Sequence, residues 1–281
     1  MRIWLVLIWL NVAGGDQDRD LIPDSEEQYL LERFLPRFHV AVGDCDVKPA
    51  EFERGKATPV VKERNGTIYG QVFRIAGGVE IHYFHLWAND CGRIPHELDA
   101  EHVSAFVVQQ EKEWRARYWY SAAHEDTVCD RGAAARAQFL LAEWRGPDVW
   151  VSRGKHASFL SEEACRLGCG SGKCDRSENL VVKQVLNLGE RGNLLNGSRW
   201  AEGSGWRLGE KMGSDFPADL RKQLDGSQKI IAAKTRNPVV QPVILAGSST
   251  IDSLELANTK TGGALSKAKK SVKKLFEKYR F

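Results

Sequence analysis

The stretch Val79-Glu80-Ile81-His82-Tyr83-Phe84-His85-Leu86-Trp87 is dense in β-branched and aromatic residues and reads as a strand. Residues 101–108, 117–124 and 149–153 read the same way, and turn-like stretches at 89–95 and 126–132 separate them. Several short strands divided by turns predict a mainly β chain, a β-sandwich with loop insertions. Outward from this centre, Asp24-Ser25-Glu26-Glu27 supplies a cap and an acidic first turn for a short N-terminal helix that Pro36 stops. Residues 133–144 read as a further helix, 186–215 as long surface loops rich in Gly, Asn and Ser, and 239–245 as a late strand. No internal repeat is present.

The two ends differ from the body. Met1-Arg2, an apolar run from Ile3 to Ala13 and the pair Gly14-Gly15 lead into a polar stretch from Asp16 to Asp20. These eleven residues, ten of them apolar, are too few to span a bilayer, which takes about 20. The pattern is that of a secretory signal peptide over residues 1–15, ahead of a sandwich domain over 22–250. An exported chain is secreted or periplasmic, and its six cysteines, Cys45, Cys91, Cys129, Cys165, Cys169 and Cys174, are then disulfide candidates. The Cys165, Cys169, Cys174 group could alternatively hold zinc. Residues 259–281 carry eight lysines and arginines against Glu277 alone, so this tail has a charge of +7 and the remainder of the chain −4. With no general basic footprint on the body, no nucleic-acid partner is expected. Leu265, Ala268, Val272, Leu275, Phe276 and Tyr279 fall at helical spacing opposite the lysines, a basic amphipathic C-terminal helix. Such a helix either packs on the body or lies on an anionic membrane surface through residues 264–281.

Six of the seven histidines, His82, His85, His96, His102, His124 and His156, lie between residues 82 and 156. Strand alternation puts Asp99 and Glu101 on one face, continued by Val103, Ala105 and Val107, and turns His102 to the other side. Two carboxylates in an apolar layer need a cation, a hydrogen-bond network or an opening to solvent. A divalent metal ion would meet that need, with Asp99 and Glu101 as oxygen ligands and Asp90 and His96 reaching in from the preceding loop. Calcium, magnesium or manganese suits this donor set better than zinc. The alternatives are ion pairs for the acids and hydrogen-bonded core roles for His82, His85 and His102. His124 and His156, each at a strand end, are candidates for a ligand or a general base.

The blocks Ile81 to Asp90, His96-x2-Asp99-Ala100-Glu101-His102-Val103, Tyr118-Trp119-Tyr120-Ser121 and Val149 to Ser158 resemble, in that order, the vacuolar protein sorting-associated protein 62 family over residues 30–165. Ala100 stands where that family has Trp. More distantly, Pro95-His96-Glu97-Leu98-Asp99-Ala100-Glu101 is similar to the Gly-His-Arg-His-Asp-Trp-Glu signature of the necrosis- and ethylene-inducing-like proteins, agreeing at His96, Asp99 and Glu101. That resemblance implies a secreted β-sandwich cytolysin with a divalent metal at those positions. The second histidine and the Trp are missing, so metal binding carries over better than cytolysis.

Three uses of such a site follow. The ion could hold a glycan or a lipid head group at a membrane or cell surface. It could activate water for hydrolysis of an ester or phosphodiester, with His156 or Glu101 moving the proton. It could merely tie a loop to the sheet. No nucleophile elbow, phosphate loop or zinc-protease motif is present.

Overall fold

The computed structural model describes residues 15–92, 95–123, 132–168 and 172–234. The elements that position the site are α1 (Asp24–Arg33), β1 (Arg37–Ala41), β2 (Thr67–Ile75), β3 (Gly78–Asp90), β4 (His96–Gln110), β5 (Glu113–Ser121), β6 (Gly132–Arg136), β7 (Asp148–Val151), β8 (Ser158–Phe159), α2 (Glu162–Leu167), β9 (Ser177–Asn179), β10 (Gln184–Asn187), α3 (Ala218–Asp225) and β11 (Ile231–Lys234). A seven-stranded sheet runs in the order β10-β2-β3-β4-β5-β6-β11, and a four-stranded sheet in the order β8-β7-β1-β9. The large sheet is antiparallel from β2 to β11, with β10 parallel to β2; in the small sheet β1 and β7 are parallel.

The two sheets face each other across one core, as a β-sandwich requires. Phe38, Val40, Val149 and Val151 of the small sheet meet Ile81, Tyr83, Val103, Ala105, Val107 and Trp119 of the large one. Leu30, Leu31 and Phe34 of α1 close the same core. Gly146 lies so close to the end of α1 that a Cβ there would stand 2.1 Å from the Leu35 carbonyl oxygen.

The opposite face of the large sheet is also covered. Phe84 and Leu86 pack under Trp200, Leu208 and Met212, while Phe106, Tyr118 and Tyr120 pack under Phe216, Leu220 and Leu224 of α3 and its lead-in. This third layer corrects the reading of 186–215 as surface loops. The backbone there is irregular, yet its spaced apolar residues bury themselves on the sheet. It also explains why β3 is buried almost without interruption from Val79 to Ala88, polar Glu80, His82 and His85 included, since both its faces are enclosed.

Three further expectations change. The helix expected over 133–144 is strand β6 followed by a single 3-10 turn at Ala137–Leu140. Ala133, Ala134 and Ala135 pair with Ser121, Tyr120 and Trp119, and burial beside that aromatic strand overrides alanine's helical preference. Asp24 does not cap α1 but lies in its first turn, where its carboxylate accepts from the Gln17 backbone and side chain at 2.9 and 2.6 Å. The β3 and β4 strands extend beyond the expected limits, so Asp90 and His96 are a cross-strand pair rather than loop residues. Residues 1–14 of the expected signal peptide, the expected strand at 239–245 and the tail 259–281 lie outside the described residues. No helix among the described residues is long and apolar enough to cross a membrane.

Candidate functional site

At one end of the sandwich three segments converge: the β3–β4 ladder, the loop Gly43–Asp46, and the turn Gly154–Ser158. A disulfide between Cys45 and Cys91 fastens the first two together. The ladder pairs Asp90 with His96, Trp87 with Asp99 and His85 with Glu101. Because side chains alternate along each strand, Asp99 and Glu101 share the core-facing side with Val103 and Ala105, and His102 faces away, as the alternation predicts.

His156 organises this end. It is fully buried and holds a left-handed backbone with φ 48°, a conformation disfavoured for residues that carry a Cβ. Its ring stacks on Trp87 with centroids 4.0 Å apart and planes 9° from parallel. Nδ1 lies 3.0 Å from Asp99 Oδ2, and Nε2 lies 3.3 Å from the Asp46 carbonyl and 3.6 Å from Asp44 Oδ2. Both ring nitrogens thus face acceptors, which suits the doubly protonated imidazolium. Burial pushes the ring toward neutrality, but the hydrogen bond it donates to Asp99 and the charges of Asp99, Asp44 and Asp46 outweigh it and hold its pKa above the ordinary 6.5.

The other acids are also placed by backbone. Asp44 Oδ2 accepts from the Gly154 amide at 2.7 Å. Asp46 Oδ2 accepts from the Ala88 amide at 3.1 Å and lies 3.4 Å from Arg64 Nε; burial nevertheless raises its pKa. Asp90 is buried, accepts from the Gly92 amide at 2.6 Å, and stands 3.4 Å from the exposed His96 and 3.7 Å from Lys155. Asp90 with His96 and Asp99 with His156 are thus two separate contacts among the described residues. Glu101 is buried one pair further in, opposite His85. Among the described residues, Asp44, Asp46, Asp90 and Asp99 stand against Arg64, Lys155 and His156, whose imidazolium form the surrounding acids favour, so the acids exceed these cations by one.

His85 is different in character. The Trp87 indole donates to its Nδ1 at 2.8 Å, which leaves the proton on Nε2, 2.6 Å from Ser158 Oγ. Burial pushes its pKa well below the ordinary value, so the ring stays neutral. With Nε2 donating, His85 cannot take a proton from Ser158, and the pair is structural rather than nucleophilic.

On the far face of the sheet, His82 and His102 stack with centroids 5.4 Å apart. His82 Nε2 lies 2.7 Å from Glu80 Oε1, and His102 Nε2 lies 2.9 Å from Asp215 Oδ2. The Ser104 hydroxyl donates to Asp215, and the Asp215 amide and the Ser214 hydroxyl donate to Glu80. This enclosed network pins the third layer to the sheet, the core role expected for these histidines. A second disulfide joins Cys165 and Cys174, which leaves neither thiol for zinc. These two disulfides among the described residues point to an oxidising compartment for the folded chain. His124, Cys129 and Cys169 lie outside the described residues.

Asp44 and Asp46 were not visible as site residues in sequence. Their only signal is that they bracket Cys45, and six cysteines allow 15 pairings, so the link from Cys45 to Cys91 beside Asp90 could not be read.

No family model matches this chain, and no curated protein matches it. The resemblance to the vacuolar protein sorting-associated protein 62 family therefore gains no support. Solved structures that it is similar to include NLPPya in complex with glucosamine, at 13% identity over 80% of this chain and 97% of that one with a TM-score of 0.43. NLPPya in complex with mannosamine matches at 13% identity over 76% and 95%, with the same TM-score. Necrosis and Ethylene inducing Protein 2 from the causal agent of cocoa's Witches Broom disease matches at 14% identity over 76% and 99%, with a TM-score of 0.39. These are the toxin-fold proteins of the more distant resemblance, and at such low identity and TM-score they do not bear on what this chain binds.

Proposed function

We propose that the chain is a secreted or periplasmic binding protein whose Asp90, Asp99 and Glu101 end takes a divalent cation, with His96 at its rim, and through that ion holds a glycan or a lipid head group at a cell surface. The single observation that supports this is the charge imbalance: among the described residues the carboxylates of Asp44, Asp46, Asp90 and Asp99 outnumber the cations Arg64, Lys155 and His156 that they face, in a place where an unbalanced buried acid is costly. Oxygen donors with one exposed imidazole fit a hard ion such as calcium, magnesium or manganese. The residues fit the ion by donor type; when bound, the ion would supply a Lewis-acidic point of attachment for hydroxyl or phosphate oxygens. His156 positions Asp99 from behind and Trp87 fixes His156, so the ligand carboxylate is pre-oriented. Asp99, at 12% side-chain exposure, borders solvent, whereas His156 has none, which favours a positioning role for His156 over general-base catalysis in a hydrolase. The lysine-rich tail would add attraction to anionic membranes.

The test is binding of the full chain to a glycan array and to vesicles of anionic or neutral lipid, with calcium and with chelator. Binding that needs the cation and is lost in Asp99→Asn supports the proposal. Binding indifferent to chelator and to Asp99→Asn overturns it. A chain ending near Gly263 separates the contribution of the tail.

A further inference from the structure

Away from this end, the chain enters α1 through Asp16-Gln17-Asp18-Arg19-Asp20-Leu21-Ile22-Pro23-Asp24-Ser25-Glu26-Glu27. Carboxylates fall at the first, third, fifth, ninth and twelfth positions of this twelve-residue stretch, the spacing with which a helix-entering loop wraps calcium. Such loops place glycine sixth for a left-handed turn; Leu21 stands there with φ 73° and adopts that conformation. The Arg19 and Leu21 amides donate to the two oxygens of Asp16 at 2.7 and 3.1 Å, folding the loop around its interior.

The interior is where the acids are left over. Asp18 is 1% exposed, and neither of its carboxylate oxygens has a hydrogen-bond donor among the described residues. Glu27 is fully buried; its Oε2 accepts from the Asn187 amide at 2.8 Å and its Oε1 from nothing. Asp20 Oδ2 and Glu190 Oε1 are likewise without donors. One ligand atom each of Asp18, Asp20 and Glu27 lies within 4.8 Å of the others, and the same holds for Asp16, Asp18 and Asp24. Arg74, whose charge acts on Asp20, donates to the Leu21 carbonyl at 2.8 Å. Burial, reinforced by neighbouring acids, raises Asp18 to about 6, Glu27 to about 9 and Glu190 to about 7. Unpaired carboxylates this enclosed call for a cation.

We propose that residues 16–27 form a calcium site, with Asp16, Asp18, Asp20, Asp24 and Glu27 as side-chain ligands and the Ile22 carbonyl at the seventh position of the loop. The ion ties the segment before α1 to the helix and, through Glu27 and Asn187, to the edge strand β10. It is a second cation site, independent of the one proposed above.

The experiment is thermal unfolding and calorimetric titration of the chelator-stripped full chain with calcium chloride and, separately, magnesium chloride. At calcium a hundredfold above Kd, Tm should rise by about 5–10 °C. Magnesium, which needs a tighter octahedral set and keeps its waters, should give less than about half of that rise. The double variant Asp18→Asn/Glu27→Gln should lose the calcium increment while its calcium-free Tm is no lower than wild type, because the unpaired buried charge of Asp18 is gone and Glu27, which burial keeps protonated at neutral pH without calcium, gives up no charge. Asp99→Asn should retain the increment, which separates this site from the other one. Asp20→Asn, which leaves the fully buried pair untouched, should weaken calcium at least about tenfold and covers the case in which the double variant does not fold. No calcium increment in wild type, an increment that survives in the double variant, or an unchanged Kd in Asp20→Asn would overturn the site.

Discussion

Replacing His156 by asparagine isolates the electrostatics of the β3–β4 end, because asparagine tolerates the left-handed backbone at φ 48° and adds no conformational strain of its own. The substitution removes a stacked ring from Trp87, worth about 0.5–1.5 kcal/mol beyond its area. It also leaves Asp44, 1% exposed, and Asp99, 12% exposed, without the cation between them. Removing one partner of a buried ion pair costs about 3–5 kcal/mol, and the low end applies here because Asp99 borders solvent and Asp44 keeps its Gly154 amide. A metal-free loss of about 3–5 kcal/mol in urea unfolding is therefore expected. The double variant His156→Asn/Asp99→Asn should cost less than the two single losses added together, with a coupling of about 1–3 kcal/mol. A single variant within about 1 kcal/mol of wild type, or strictly additive losses, would refute the assignment of His156 as the buried counter-charge.

Acidification should weaken the fold through His85, whose folded pKa lies below its unfolded value: the unfolded chain takes up a proton below about pH 6.5 that the folded chain refuses, so stability falls as pH drops through that range. Comparing wild type with His85→Gln between pH 7 and 5, the variant's slope should be shallower by up to about 1.4 kcal/mol per pH unit; parallel slopes would contradict a neutral His85. Gly146→Ala should destabilise by at least about 1–3 kcal/mol, since the new methyl meets the backbone of Leu35 and not a side chain that can turn aside; calorimetry showing an unchanged Tm would remove that packing claim. Asp215→Ala should cost about 3 kcal/mol and expose the 200–216 segment to limited proteolysis, because His102 and Ser104 both lose their acceptor. Unaltered protease resistance would mean that the far-face network does not hold the third layer.

The central strands β3, β4 and β5 of the large sheet were readable because β-branched and aromatic residues concentrate in them, and the alternation from Asp99 to Val107 sorted two acids to the core face and His102 to the other. What could not be read was set by contacts distant in sequence. Residues 133–136 are a strand because Trp119 and Tyr120 pair with them, which no local alanine preference reports. Trp200, Leu208 and Met212 sit in a Gly- and Ser-rich stretch whose composition hides a covering layer. At the candidate site, His156 and Asp99 are 57 residues apart yet touch, and Asp44 and Asp46 arrive through a cysteine pairing that spacing does not specify. The acidic stretch before α1 is the opposite case. Its ligand spacing lies in consecutive residues, but the apolar run before it and the helix after it draw the reading toward export and capping.

The central claim is that the Asp90, Asp99 and Glu101 end holds a divalent cation. Elemental analysis after dialysis against calcium, magnesium and manganese tests it most directly, in a chain carrying Asp18→Asn/Glu27→Gln so that the N-terminal loop does not contribute. The account predicts one bound ion per chain in that background, falling to none when Asp99→Asn/Glu101→Gln is added. Equal metal content with and without those two carboxylates, or no metal in either chain, would contradict it.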